Sequence, residues 1–206
     1  PDWNHRFQAS ILFERGSFGL NKALAKISAG NRKIQSVSRF FYEKMENDFT
    51  FLNLGVLPHT RDTLENSSYC KGGYMQELYF RPDERNLLGF RFWYQESRRN
   101  LPQLMSYQGS PRDEYQDDRQ LRTQIEWKKY SGKSDFQFFS GFNHSLLDYE
   151  RKTPAFNFIN EEAHSHESGL LNRFKMNHRF GEKTLTSIQV DANYYQVGSE
   201  SRKIGR

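Results

Sequence analysis

Residues 121–142, LRTQIEWKKYSGKSDFQFFSGF, alternate apolar and polar side chains on both sides of a short polar turn. Successive side chains of an extended chain point to opposite faces, so this period of two predicts two β-strands joined by a turn within YSGKSD. Phe139 breaks the alternation on the polar side. The apolar face would meet a second sheet in a soluble sandwich, or lipid in an outer-membrane barrel whose polar face lines the lumen. The hairpin alone is compatible with both.

The composition combines a polar average with many aromatic residues. Of the 206 residues, 35% are hydrophobic and the mean hydropathy is −0.91, yet 16% are aromatic. Disordered segments are poor in aromatic residues, so this composition argues against disorder. A transmembrane barrel has this balance because half of its strand residues face water and its lipid face carries aromatic girdles, although a soluble β-protein with a small core is similar. No apolar run approaches the roughly 18 residues that a membrane helix needs.

Positive and negative charges are interspersed along the chain. The formal net charge is +5, from 30 basic and 25 acidic residues, and no concentrated basic patch indicates nucleic-acid binding. The single cysteine, Cys70, excludes an internal disulfide framework. The first residues, PDWNHRF, have neither the basic nor the apolar region of a signal peptide, so we expect the sequence to begin inside a longer protein.

Alternation and turn signals predict about nine strands. They cover residues 5–14, 19–28, 33–44, 69–81, 86–96, 118–130, 135–147, 168–180 and 184–197. Most are near ten residues or longer. Strands of soluble proteins usually have about 5 to 6 residues, whereas a tilted membrane-spanning strand needs about 9 to 11.

Short turns and long connections occupy alternate junctions between the predicted strands. The tight polar turns are AGNRK, RPDERN, SGKSD and FGEKT, and the long connections are 45–68, 97–117 and 148–167, with RGSFG as the one short member of that second series. Outer-membrane barrels have short periplasmic turns and longer extracellular loops. A Greek-key sandwich has no reason to keep this alternation. With the short turns in the periplasm, the first strand runs toward the outside.

Aromatic residues on the apolar face mark both ends of the predicted strands. Those beside short turns are Phe80, Trp127, Phe136 and Phe180, and those on the side of the long connections are Phe13, Tyr94 and Tyr194. Two aromatic rings around an apolar band are typical of a membrane interface, although aromatic residues also favour strands in general.

The opposite face of the predicted strands is polar. It carries Arg91, Gln95, Arg122, Gln124, Glu126, Lys128, Arg173, Lys175, Arg179, Gln189, Asp191 and Asn193. Isolated charges are costly to bury in a dry core but not in a wet lumen. The pattern therefore predicts that the apolar face, with Ile125, Phe138 and Val190 in mid-strand, meets lipid.

Three phrases resemble the start of the barrel domain of TonB-dependent outer-membrane receptors, in particular those of Bacteroidetes and of the cobalamin and siderophore types. They are RGSFGLNKALAKISAG, RFFYEKMENDFTFLN, and LGFRFWYQESRRNLPQLM followed by an acidic loop and QLRTQIEWKK. The resemblance covers almost the entire chain. It implies an outer-membrane receptor that takes up a small scarce nutrient, of the siderophore, cobalamin or glycan class, with energy supplied through TonB.

The family implies a barrel of about 22 strands around an N-terminal plug. This chain supplies about nine strands and neither a plug nor a TonB-contacting segment. An open sheet cannot span a bilayer with unpaired edges, because lipid offers no hydrogen-bond partners. We therefore expect residues 1–206 to be one partial β-barrel domain, an all-β antiparallel up-and-down meander in the bacterial outer membrane. Its expected partners are lipid, the missing strands, the plug, TonB through that plug, and the nutrient.

No sequence motif indicates an enzyme. The chain has no G-x-S-x-G elbow, P-loop, H-E-x-x-H or Cys-x-x-Cys pair. A soluble all-β module that recognises glycans through its aromatic residues is the alternative function. An outer-membrane enzyme with its functional residues in the loops is a third hypothesis, against which the missing catalytic signature argues.

Two clusters contain residue types that bind metals; no cofactor is predicted except, weakly, calcium at the second of them. His164 and His166, flanked by Glu161, Glu162 and Glu167, define no coordination geometry, so a solvated polar loop is favoured. The second cluster comprises Asp113, Glu114, Asp117 and Asp118, whose oxygens are ligands of the kind that calcium prefers. It lacks the glycine and the spacing of an EF-hand and has arginines on both sides, so a solvated acidic loop is preferred over a calcium site.

The connection between residues 97 and 118 is the predicted ligand-contacting loop. Arg98 and Arg99 can bind carboxylates or phosphates in bidentate fashion, and Tyr107 lies among apolar residues in the same segment. Binding sites are usually built on loops that a rigid scaffold holds. We expect these three residues to make the first contacts with the nutrient, although contact with lipopolysaccharide or packing on neighbours explains the composition equally well.

Overall fold

The structure is a computed structural model that describes residue 3 and residues 6–102, 113–153, 158–181 and 183–203. It contains eleven strands in this part of the chain. They are β1 (Phe7–Arg15), β2 (Asn21–Gly30), β3 (Ile34–Met45), β4 (Thr50–Asn53), β5 (Thr60–Thr63), β6 (Tyr69–Phe80), β7 (Asn86–Asn100), β8 (Asp113–Ser131), β9 (Ser134–Thr153), β10 (Phe158–Phe180) and β11 (Thr184–Lys203). No helix long enough and apolar enough to cross a bilayer occurs among the described residues.

Nine of these strands form one antiparallel sheet in the order β1-β2-β3-β6-β7-β8-β9-β10-β11, and β4 pairs with β5 in a separate hairpin. Every large-sheet strand pairs with its neighbour in the chain once the β4–β5 hairpin is set aside. The predicted fold class, an all-β antiparallel meander, is confirmed. Each of the nine predicted strands corresponds to one strand of this sheet.

The short turns lie together at one end of the sheet, which we call the turn end. Asn31 shapes the first of them, since its Oδ1 accepts hydrogen bonds from the backbone of Lys33 and Ile34 at 2.8 and 3.0 Å. Gly132 and Gly181 have positive φ in two others, at 57° and 65°. A left-handed residue of this kind is costly for side chains with a Cβ, so glycine suits these tight reversals.

The predicted long connections at 97–117 and 148–167 are wrong at both of their ends, because the flanking strands extend into them. β7 runs to Asn100, β8 begins at Asp113, β9 runs to Thr153 and β10 begins at Phe158. The apolar alternation stops where these extensions begin, but cross-strand ion pairs such as Arg151 to Glu161, 2.9 Å, replace it. Apolar periodicity in the sequence does not reveal strands that are stabilised by oppositely charged cross-strand pairs.

The predicted connection at 45–68 contains the β4–β5 hairpin and is tied to the sheet end opposite the turns. The Ser67 hydroxyl donates to the carbonyl of Asn47 at 2.8 Å. Asn66 donates through its side-chain amide to the carbonyls of Leu101 and Glu114 at 3.0 and 3.2 Å. The two bonds of Asn66 link this connection to the ends of β7 and β8 that lie away from the turn end.

The sheet is a single layer. Within the described part of the chain Tyr79 is the only buried hydrophobic residue, at 8% exposure. Large apolar side chains along one face are open, among them Phe13 (77%), Ile125 (50%) and Val190 (58%). The described residues supply no second sheet to cover this face, so the sandwich arrangement is not the one this chain adopts here.

The apolar side chains form a band that crosses the sheet diagonally. Following the paired residues from Tyr194 on β11 across the sheet leads to Ala9 on β1, not to Phe13, which is the upper aromatic residue of that strand. From β1 to β11 the band therefore shifts toward the turn end. In a sheet of tilted strands, a horizontal band crosses the rows of hydrogen-bonded residues obliquely, as this band does.

Candidate binding site on the polar face

The polar face carries a ladder of alternating charges across β3, β6, β7 and β8. The Glu77 carboxylate lies 2.7 Å from Arg39 and 3.8 Å from Arg91, and the Glu126 carboxylate lies 3.5 Å from Arg91 and 2.9 Å from Lys128. The two carboxylates are only 14% and 13% exposed. Each cation of this charge ladder therefore has an anionic partner, so the ladder is electrostatically compensated.

Apolar side chains form a patch on the same face, next to the charge ladder. The aromatic patch, as we call it, comprises Leu12, Leu24, Phe41, Met75 and Trp93, and these residues line one open depression. Gly73 makes the patch flat, because a Cβ at this position would lie 2.5 Å from the Phe41 ring. The missing side chain allows that ring to lie against β6.

Cations border the aromatic patch. Arg122 holds its guanidinium 5.6 Å from the centre of the Trp93 ring and donates to the Gln120 side chain at 3.2 Å. Lys26 lines the depression on the opposite side. Neither cation forms an ion pair with any described residue, whereas Arg39, the third cation there, is paired with Glu77. An apolar floor with two uncompensated cations is suited to a ligand that has an apolar body and an anionic group.

The sequence patterns did not indicate the aromatic patch. Phe41 and Trp93 lie on the polar side of their strands, out of phase with Phe40, Phe92 and Tyr94 on the apolar side. Phe139 on β9 also lies on the polar side, where it interrupts the alternation of residues 121–142. An aromatic residue on the polar phase of a strand is the signal that points to such a site, since it has no role in the apolar band.

Arg98 and Arg99 lie in β7 and not in a loop, so this part of the predicted ligand site needs correction. Strand geometry sends them to opposite faces of the sheet. Arg98 lies 3.5 Å from Asp117 and 4.5 Å from the centre of the Tyr115 ring. Arg99, on the polar face, lies 3.5 Å from Asp118. Tyr107 is outside the described residues.

The acidic cluster predicted as a weak calcium site is also part of a strand. Asp113 and Asp117 occupy one phase of β8, and Glu114 and Asp118 the other, so the four carboxylates do not converge. Two of them have arginine partners, and Glu114 accepts a hydrogen bond from the Tyr149 hydroxyl at 3.2 Å. Across the described ranges no group of three or more His, Cys, Asp or Glu residues has the arrangement of a metal site.

The histidines predicted to lie in a solvated loop are in β10. His164 Nδ1 and Asp148 Oδ1 are 2.8 Å apart, and Arg119 donates to the same carboxylate at 2.6 Å. The hydrogen bond from His164, together with that from Arg119, holds the pKa of Asp148 below its usual range. The hydrogen bond to Asp148 raises the pKa of His164, with support from the charges of Glu162 and Glu200.

We expect the His164–Asp148 pair to stabilise the end of the sheet opposite the turn end within a defined pH window. A raised histidine pKa stabilises the fold at low pH, and this contribution is lost as the pH rises through the folded-state value. A lowered aspartate pKa stabilises it at higher pH, and this contribution is lost as the pH falls through the folded-state value. The pair is therefore strongest between those two pKa values.

An NMR titration of the His164 ring tests this expectation. The pKa of His164 in the complete protein is expected above the ordinary value of about 6.5 and should fall in Asp148→Asn. His144, which faces the Ser168 hydroxyl at 2.8 Å and not a carboxylate, is the internal control. An unchanged His164 pKa in the variant contradicts the assignment.

Neither a scan against protein-family models nor a search among curated proteins found a match to this chain. Its function is therefore argued from the two faces of the sheet.

Proposed function

We propose that this chain forms part of the wall of an outer-membrane β-barrel that takes up a small scarce nutrient. The observation that carries the proposal is the contrast between the two faces of one sheet. One face exposes a band of mainly apolar side chains, and the other carries compensated charges and the aromatic patch. A barrel wall with lipid outside and a wet lumen inside requires this contrast.

The strand lengths support the same proposal. β8, β9, β10 and β11 have 19, 20, 23 and 20 residues, about twice what a membrane crossing needs. Beyond the apolar band both faces of these strands are charged, with Asp117, Arg119 and Asp148 on the apolar phase. Charges on both sides indicate that the extensions stand in water above the membrane.

The sheet edges indicate that further strands complete the barrel. β1 and β11 are the outermost strands, and a nine-stranded antiparallel meander begins and ends with strands of the same direction. Joining them would create a parallel pair, whereas outer-membrane barrels are antiparallel. Their unpaired edges cannot face lipid without a large free-energy cost. We propose that residues 1–206 are one part of a larger barrel with a plug and a TonB-contacting segment, as the family resemblance implies.

Within this barrel the aromatic patch is the proposed contact surface for the nutrient. Lys26 and Arg122, which border the patch and form no ion pair with a described residue, would bind the anionic group, and Phe41 and Trp93 would contact the apolar body. Arg99 lies on the same face, farther from the short turns, and would contact the nutrient before it reaches the aromatic patch. Arg98 faces the outside of the sheet and is not part of this surface.

The alternative, a soluble glycan-binding module, would need its apolar band covered by protein. No observation on the described residues favours it, since a single exposed layer is what a membrane wall presents. We propose no catalytic activity for the chain.

Surface labelling of intact cells tests the membrane topology. In a Cys70→Ser background, His59→Cys, between β4 and β5, is expected to react with a membrane-impermeant maleimide. Lys133→Cys, in a short turn, should react only after the outer membrane is opened. Equal labelling of both positions in intact cells excludes a membrane-spanning barrel, and labelling of Lys133→Cys alone reverses the orientation.

Uptake assays test the transport part. A strain without the complete receptor is expected to lose growth on one limiting nutrient among cobalamin, a ferric siderophore and an oligosaccharide, and to regain it with the parent gene. Collapse of the proton-motive force should stop this uptake. Normal growth of the deletion strain on all three contradicts the proposal.

Replacement of Arg122 by glutamine is expected to weaken nutrient binding about tenfold, because one charge-assisted hydrogen bond in a site open to water is lost. Arg98→Gln is the matched control, since it removes the same charge from the other face. Binding to cells with equal amounts of assembled receptor is the measurement. Equal losses in the two variants contradict the assignment of the site to the polar face.

A further inference from the structure

The cations at the two ends of the sheet differ in how they are partnered. The cations at the turn end include Arg32, Lys33, Arg81, Arg85, Lys129 and Lys133. None of these six forms an ion pair with a described residue. At the opposite end several cations of the apolar phase are close to carboxylates: Arg98 to Asp117 at 3.5 Å, Arg119 to Asp148 at 2.6 Å and Lys152 to Glu150 at 2.7 Å.

The described acidic residues beside these six cations are Asp83, Glu84 and Asp135, which are too few to compensate all of them. Asp83 accepts hydrogen bonds from the backbone of Arg85 and Asn86 and from the Asn86 side chain, so its oxygens stabilise the turn. Glu84 and Asp135 are exposed and form no ion pair within the described ranges. Glu182 lies outside the described residues. An excess of positive charge therefore remains at this end.

The cations also border the apolar band directly. Lys33 precedes Ile34, Arg81 follows Phe80, and these two apolar side chains are 50% and 43% exposed. Lys129 lies two residues beyond Trp127 on the same face of β8. If the band lies in hydrocarbon, as the proposed function requires, these cations are at the depth of the lipid headgroups on the turn side.

We infer that the turn end binds the phosphate groups of anionic phospholipids in the adjacent leaflet. The inference rests on the proposed function, because it needs a membrane at the apolar band. Each Lys or Arg near an anionic surface contributes about fivefold in affinity, and the contribution decreases over a Debye length of about 10 Å in 0.1 M salt. The ion-paired cations at the opposite end contribute little, since carboxylates already neutralise them.

The test uses the complete receptor reconstituted in phosphatidylcholine vesicles with a spin-labelled lipid. The preference for labelled phosphatidylglycerol over labelled phosphatidylcholine is measured for the parent and for a turn variant, Arg32→Gln, Lys33→Gln, Arg85→Gln and Lys133→Gln. The control removes the same number of charges at the opposite end, as Lys44→Gln, Arg98→Gln, Arg119→Gln and Lys152→Gln. Arg81 is kept because it donates to the Arg32 carbonyl at 3.2 Å.

The parent and the control are expected to prefer phosphatidylglycerol severalfold, and the turn variant to show a preference near one. High salt should remove the preference of the parent, which tests the inference even if the turn variant fails to assemble. A parent that inserts but shows no preference, a preference that high salt leaves unchanged, or an equal loss in the control overturns this inference alone. A parent that does not float with the vesicles overturns the proposed membrane function as well.

Discussion

Arginine in place of Val190 is expected to lower the free energy of unfolding of the complete receptor in a bilayer by about 2–4 kcal/mol. Val190 is 58% exposed and lies in the middle of the apolar band on β11. A charged side chain at that depth in hydrocarbon must be solvated by lipid headgroups or by water defects, and both cost free energy. Ile125→Arg on β8 should behave in the same way.

Asn193→Arg is the matched control for Val190→Arg. Asn193 lies on the same strand but on the polar phase, opposite Leu171 and next to Asp191, so the new charge would face the lumen. Its expected cost is below about 0.5 kcal/mol, as for other substitutions on wetted surfaces. Urea unfolding in lipid vesicles, followed by tryptophan fluorescence, measures both variants. Similar losses on the two faces mean that both faces meet the same environment, and the membrane proposal then fails.

Replacement of Glu77 by glutamine is expected to lower the free energy of unfolding by about 1.5–3 kcal/mol. Glutamine keeps the shape of the side chain but removes the negative charge between Arg39 and Arg91, which lie 2.7 and 3.8 Å away. Loss of one partner from a fully buried pair costs about 3–5 kcal/mol. The two arginines are 40% and 30% exposed, so water compensates part of the loss.

Glu84→Gln, in an exposed turn, is the control for Glu77→Gln and should have almost no effect. A double variant of Glu77→Gln and Arg39→Gln measures the interaction between these two residues. If they stabilise each other, removing both charges costs less than the sum of the two single losses. Additive losses would show that Glu77 and Arg39 do not stabilise each other. The same urea titration measures the control, the two single variants and the double variant.

The sequence predicted the strands where apolar and polar residues alternate, and it failed where they do not. Residues 121–142 form parts of β8 and β9, as expected. The extensions near Arg98, Asp117 and Asp148 were assigned to loops because they contain charges on both phases. Their strand pairing depends on partners far away in the chain, such as Arg119 and Asp148, whose identity no local pattern contains.

The sequence by itself determined the all-β class, the meander order and the face on which Ile125, Phe138 and Val190 lie. Side-chain direction alternates residue by residue along a strand, so this information is local. Only the tertiary structure brought Phe41, Trp93 and Arg122 from three strands to one patch, sent Arg98 and Arg99 to opposite faces, and paired each with its own aspartate. These relations depend on the register between strands, which joins residues far apart in sequence and is set by the pairing of whole strands rather than by any one stretch.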